Sequence, residues 1–141
     1  LLAEARMGQG DVDRGLSLYR DAMARYPLNY ALAYGYGDAL IAHKRYRESL
    51  NFADDRLLSY PQDVRLYKMQ AESHAALGHQ AQQHRSLAEA YALQGQLPAA
   101  VEQLQLAQRA GDANFYELSA IDARLRELKA RQAEEAKEKR K

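Results

Sequence analysis

Four histidines, His43, His74, His79 and His84, are the natural starting point for metal or acid–base chemistry in this chain. A zinc site on a helix needs ligands three or four residues apart, as in an HExxH segment, so that their ring nitrogens converge on one face. No HExxH occurs, and no two of these histidines are spaced by three or four. His74, His79 and His84 follow one another at steps of five. Such steps turn about 140° around a helix, and Gly78 interrupts the chain between the first two. The expectation is that His74 and His84 are partly buried packing residues, that His79 is a turn residue, and that no metal is bound. Cysteine is absent, which removes disulfides and thiolate ligands. There is no Gly-rich phosphate loop, no nucleophile elbow and no acid pair with a supporting base. The chain by itself is expected to be no enzyme and to need no cofactor.

What remains is recognition chemistry. The chain of 141 residues has ten tyrosines, no tryptophan, and 20 Lys and Arg against 19 Asp and Glu. A net charge of +1 provides no field to steer the protein toward nucleic acid. No apolar run approaches the roughly 18–20 residues that would cross a bilayer. Alternating charges interleaved with tyrosine suit contact with polypeptide, because tyrosine supplies large area at small entropic cost.

The elements that must carry these residues are set by punctuation. Gly10, Pro27, Lys44, Pro61, Gly78, Gly95 and the Gly111–Asp112 pair stand at steps of 17, and two steps make 34, the tetratricopeptide period. A break every 17 residues leaves room for a helix of three to four turns and nothing else. Ala, Leu, Gln, Glu and Arg dominate over β-branched residues, in agreement. Val12, Leu16, Tyr19, Met23 and Tyr26 make one helical stripe, Tyr46, Leu50, Ala53 and Leu57 another, and Phe115, Leu118, Ile121, Leu125 and Leu128 a third. Asp11, Asn29 and Asp63 stand where N-caps belong, and Pro98 at a first-turn position. The expected fold is all-α: a right-handed tetratricopeptide superhelix of about eight helices over 1–129. Its helix pairs lie near 1–26, 29–60 and 63–94, with a half-repeat over 80–110 and a capping helix over 114–129. The helix from about Gln80 serves two registers, counted forward from Gly78 or back from Gly95. Residues 130–141 form a charged helical tail, solvated and fraying. Leu1 to Gly8 look like the second half of a helix, so the chain is expected to be an excised domain with any targeting signal upstream.

The tetratricopeptide pattern places small residues where helices cross and aromatic ones between them. Gly15, Tyr19, Ala22 and Pro27 supply it once, and Tyr36–Gly37, Tyr46, Ser49 and Pro61 again. Leu87–Ala88, Tyr91, Gly95, Ala100, Leu104 and Ala107 supply it a last time. Lys44 in place of the turn glycine, and Arg56 and Gln83 in place of small residues, depart from it. The segments YPLNYALAYGYGDAL (26–40), HRSLAEAYALQGQLPAAVEQLQLA (84–107) and GDANFYELSAIDARLRELK (111–129) together resemble the C-terminal repeat domain of BepA (YfgC-like) periplasmic zinc metalloproteases, the β-barrel assembly-enhancing protease family. That resemblance implies a periplasmic location and a zinc-bearing protease domain with an HExxH helix outside this chain. It also implies a role in outer-membrane protein assembly and quality control. Partners would be the protease half, barrel proteins or the assembly machinery.

In tetratricopeptide solenoids the first helix of each hairpin lines the concave face. Carried over, that rule nominates Tyr34 and Asp38, then Arg65, Lys68 and Glu72, then Arg85 and Glu89, with Tyr116 from the last helix and Tyr30 at the lip. Each tyrosine remains open between groove and core. Two other functions stay in view. The chain could be a free-standing adaptor or co-chaperone that binds a peptide with no protease attached, or a cover over the cleft of its own enzyme.

Overall fold

A computed structural model describes residues 2–141, with side chains described from Gly10 onward; Leu1 lies outside it. Seven helices follow one another: α1 (Leu2–Arg25), α2 (Tyr30–Ala42), α3 (Tyr46–Ser59), α4 (Val64–Ala76), α5 (Gln80–Leu93), α6 (Leu97–Arg109) and α7 (Phe115–Arg140). Among the described residues there is no strand. Each helix packs chiefly on its neighbours in sequence, and α2 also touches α4. This is the all-helical solenoid that the 34-residue period implies.

Gly10 was expected to end a helix and does not: α1 runs straight through it, so the described residues form seven helices where about eight were expected. A glycine inside a helix costs only about 1 kcal/mol relative to alanine, so one glycine with no other stop signal is weak punctuation. Asp11, expected as a cap, is therefore an interior residue of α1. Asp63 does cap α4, accepting from the backbone N–H of Arg65. Asn29 holds the N-cap position of α2 without a side-chain bond. The charged tail continues α7 as helix to Arg140.

Three of the turns share one geometry. Lys44, Gly78 and Gly95 have φ of 60°, 79° and 75°, the left-handed conformation that closes a helix in a Schellman turn. In each, the next residue's N–H reaches back to close the motif: Arg45 to the Leu40 carbonyl at 2.7 Å, His79 to His74 at 2.8 Å and Gln96 to Tyr91 at 2.9 Å. Lys44 thus does the work of a glycine. Helices α1 and α3 end instead at Pro27 and Pro61. Helix α5 ends in a Schellman turn, as α2 and α4 do, although it follows α4 as the second arm of a hairpin. The two registers of the sequence meet in it.

The core is divided in three. Leu16, Tyr36 and Leu40 pack with Tyr19 and Phe52 between α1, α2 and α3. Ala53, Leu57, Leu66 and Met69 join α3 to α4. A larger cluster, including Ala88, Leu97, Leu104, Ile121 and Leu128, binds α5, α6 and α7. Ser49 and Ser73, both fully buried, let α3 and α4 approach and satisfy each other by a hydrogen bond of 3.1 Å.

Candidate interaction groove

The nominated residues fall into two neighbourhoods. The first is built by α2, the start of α4 and the end of α3. The Tyr34 hydroxyl donates to Asp63 Oδ2 at 2.6 Å, while Asp63 Oδ1 accepts from the Arg65 N–H at 3.0 Å. One carboxylate therefore caps α4 and anchors the tyrosine of α2. That bond, with burial behind it, raises the Tyr34 pKa. The Arg65 guanidinium lies 4.1 Å above the Tyr34 ring and reaches Asp38 at 3.4 Å. Both members of that ion pair are more than half exposed, so it contributes about 1 kcal/mol at most.

Beside this group, Tyr30 meets Tyr60 edge to face at 5.3 Å, and Arg56 stacks over Tyr60 at 4.6 Å and Tyr30 at 5.6 Å. The departure from a small residue at position 56 is thus filled by a cation between two tyrosines. The Nε of Arg56 is buried and finds no hydrogen-bond partner among the described residues. Tyr30, Tyr34, Tyr60, Pro61 and Val64 wall an open, mostly apolar cleft of about 500 Å³.

The second neighbourhood is a polar cleft of about 460 Å³ between α4 and α5, lined by Tyr67, Gln70, His74, Arg85, Ser86 and Glu89, with Asp54 contributed by α3. Gln70 donates to Asp54 at 2.6 Å and accepts from the Ser86 hydroxyl at 3.1 Å. The Tyr67 hydroxyl donates to the Pro61 carbonyl at 3.2 Å, and its pKa is raised by burial and by Glu89. Glu89 is held from α7 by Arg124, whose Nε and Nη2 reach its two oxygens at 2.8 and 3.0 Å. Gln82 donates to Glu117 of the same helix. Two side-chain bridges from α5 to α7, each spanning 35 residues, join helices two apart in sequence. Tyr34–Asp63 and Arg65–Asp38 do the same between the α2 and α4 neighbourhoods.

Of the nine nominated residues, Tyr30, Tyr34, Asp38 and Arg65 come together in the first neighbourhood, and Arg85 and Glu89 in the second. Lys68 and Glu72 are exposed on α4, one and two turns beyond Arg65. Tyr116 lies in neither cleft: it is 82% exposed and rests against Phe115 at 5.8 Å. Arg65 and Glu89 are not free charges, since each already holds a partner. Sequence reasoning missed Tyr60, Arg56, Asp54, Gln70 and Arg124. Of these, Arg124 had a signal, standing opposite in charge to Glu89 and about one repeat away.

No catalytic constellation converges in either cleft. Among the described residues, no three His, Cys, Asp or Glu side chains are placed to hold a metal ion, and no helix is long and apolar enough to cross a membrane. Arg124, its pKa raised first by the bond to Glu89, is a structural rivet at the edge of the polar cleft. Arg124→Met should cost about 1.5–3 kcal/mol in urea denaturation, the range for hydrogen bonds to charged groups. Arg65→Met should lose less than about 1 kcal/mol. Equal losses would show that the two pairs are equally solvated.

The tetratricopeptide repeat family model matches residues 6–72, a little under half of the chain. No curated protein sequence gives a match. Among solved structures, the MamA RS-1 ArsTM double mutant superposes with a TM-score of 0.54 at 16% identity, covering 89% of this chain and 70% of that one. MamA 41-end from Desulfovibrio magneticus RS-1 has 19% identity over 93% of this chain and 66% of that one, with a TM-score of 0.34. The first likeness shows a shared fold and, at its low identity, no more than a fold. With the matching repeat model and the helix rhythm, it makes the architecture a tetratricopeptide superhelix.

Proposed function

We propose that this solenoid is the polypeptide-holding part of a periplasmic zinc metalloprotease that serves outer-membrane protein assembly. The coarse role, a protein–protein interaction module, follows from architecture, because stacked hairpins offer long side-chain surfaces rather than enclosed reaction chambers. One observation carries the reading furthest. An apolar tyrosine-walled cleft and a cleft of amide, hydroxyl and charged groups open on the same run of helices, α2 to α5. A polypeptide offers such a surface both side chains and unpaired backbone groups. The periplasmic setting, the barrel substrates and the zinc-bearing partner domain rest on the resemblance of residues 26–40, 84–107 and 111–129.

Among the described residues, Lys68 and Arg85 are the nominated cations with no ion pair. The test is titration of a fluorescent outer-membrane barrel polypeptide, kept unfolded in dilute urea, into wild type and into the Lys68→Glu, Arg85→Glu double variant. The variant should bind about tenfold more weakly at low salt, and the gap should close as salt screens the charges. Equal affinity at low salt would remove the groove assignment. The chain alone should neither cleave casein nor hold stoichiometric zinc. Chelator-sensitive cleavage would overturn its role as a non-enzymatic module.

A further inference from the structure

The three Schellman turns differ in what faces across them. This motif usually brings an apolar side chain just past the turn against one in the last helical turn before it. At α4–α5 those two positions are His79 and His74, and their Nδ1 atoms lie 3.1 Å apart with ring centroids 5.3 Å apart. The corresponding pairs are Leu40 with Arg45 and Tyr91 with Gln96. Only here are both partners able to gain a charge near neutral pH.

A contact of 3.1 Å between two imidazole nitrogens requires one proton between them: one ring donates and the other accepts. Once both rings are cationic, both nitrogens are donors and the two charges face each other. His74 is half-buried, and burial followed by the proximity of His79 lowers its pKa below the ordinary histidine value. The carboxylates of Asp54 on α3 and Glu117 on α7 pull the other way. Arg85 of α5 shares the cleft that His74 lines. On the His79 side, Asp112 from the α6–α7 loop accepts from the Gln80 and Ala81 N–H groups at 2.6 and 2.9 Å, and its own pKa is lowered. To the backbone bonds that close this joint of α4, α5 and the α6–α7 loop are therefore added one carboxylate cap and one proton-dependent side-chain contact.

We propose that the His74–His79 pair is a proton-operated latch on the α4–α5 turn, closed while the rings share a proton and released when both are charged. The sign follows from His74. A base with a depressed pKa in the folded state stabilises the fold above the unfolded histidine value, and that contribution is lost as pH falls through the lower, folded value. The window is mildly acidic. Release would loosen the end of α4 beside the polar cleft while leaving the other two Schellman turns shut.

Nitrogen-detected NMR of the imidazoles, with amide hydrogen exchange, reads this directly. Between about pH 7.5 and about pH 5, protection of the His79 amide should fall about tenfold more than that of Arg45 or Gln96. The His74→Leu, His79→Leu double variant puts an apolar pair in the turn and should lose most of the acid-induced drop in Tm. Equal drops in wild type and variant would overturn the latch. Should that variant not fold, wild-type exchange still decides, since an acid-induced loss of protection at the His79 amide no larger than at Arg45 and Gln96 would equally overturn it.

Discussion

Leu104→Ala should be among the most damaging single substitutions in this chain, costing about 2–5 kcal/mol of unfolding free energy. Leu104 is fully buried at the centre of the α5–α7 cluster, among Ala88, Leu97, Ala107, Ile121 and Leu128. Several of its neighbours are alanines on closely packed helices, which have no long side chain to swing into the space left behind. The hole therefore stays open, and its cost adds to the lost burial. Since the core is three clusters, the damage should be local: amides of α6 and α7 should exchange rapidly, while those of α2 and α3 keep most of their protection. Uniform loss of protection along the chain would mean that the three clusters melt as one body.

Gly37→Leu is expected to cost about 1–3 kcal/mol or more, and Lys44→Gly to be neutral or to stabilise by up to about 1 kcal/mol. A Cβ at Gly37 would collide with the Sδ and the Cε of Met69 and sit 3.6 Å from Phe52. Methionine is flexible, but Met69 is only 4% exposed and packs among Ala53, Leu57 and Leu66. A leucine displaces it into a space that is already filled. Lys44 is a non-glycine residue at φ 60°, so glycine there relieves strain and removes no buried contact. Thermal melts of the two variants check the pair. Comparable losses would contradict the close α2–α4 crossing.

The helices were legible because their stops are chemical: Pro27 and Pro61 cannot continue a helix in register, and Gly78 and Gly95 accept the left-handed turn. Lys44 was readable only through its place in the 17-residue rhythm, and its positive φ shows that position outweighed residue type. Gly10 failed for the converse reason, a helix-weakening residue with nothing to finish the break. The groove was harder. Position on the first helix of a hairpin marked Tyr34, Asp38 and Arg65, and they do meet. That they meet by way of Asp63 needed the superposition of two repeats. Asp112 stood next to Gly111 as part of a local stop, yet its carboxylate caps α5, 31 residues upstream of its own position at Ala81. No local pattern carries such a contact. Tyr116 had the right residue type and helix, but its side chain lies away from both clefts.

The matching turns at Lys44 and Gly78 also bear on how such a chain changes over generations. They are 34 residues apart and have nearly the same backbone conformation. Excision of 45–78 would join Lys44 to His79 and deliver the chain from α2 into α5 through a turn of unchanged shape. Duplication of the same stretch would insert one more hairpin. Unequal recombination at these joints can therefore lengthen or shorten the solenoid in whole hairpins, and the extent of its surface becomes a heritable trait separable from the stability of its far end. Helix α5 lies outside the exchanged stretch, so its bonds to α7 through Gln82 and Glu89 survive either event.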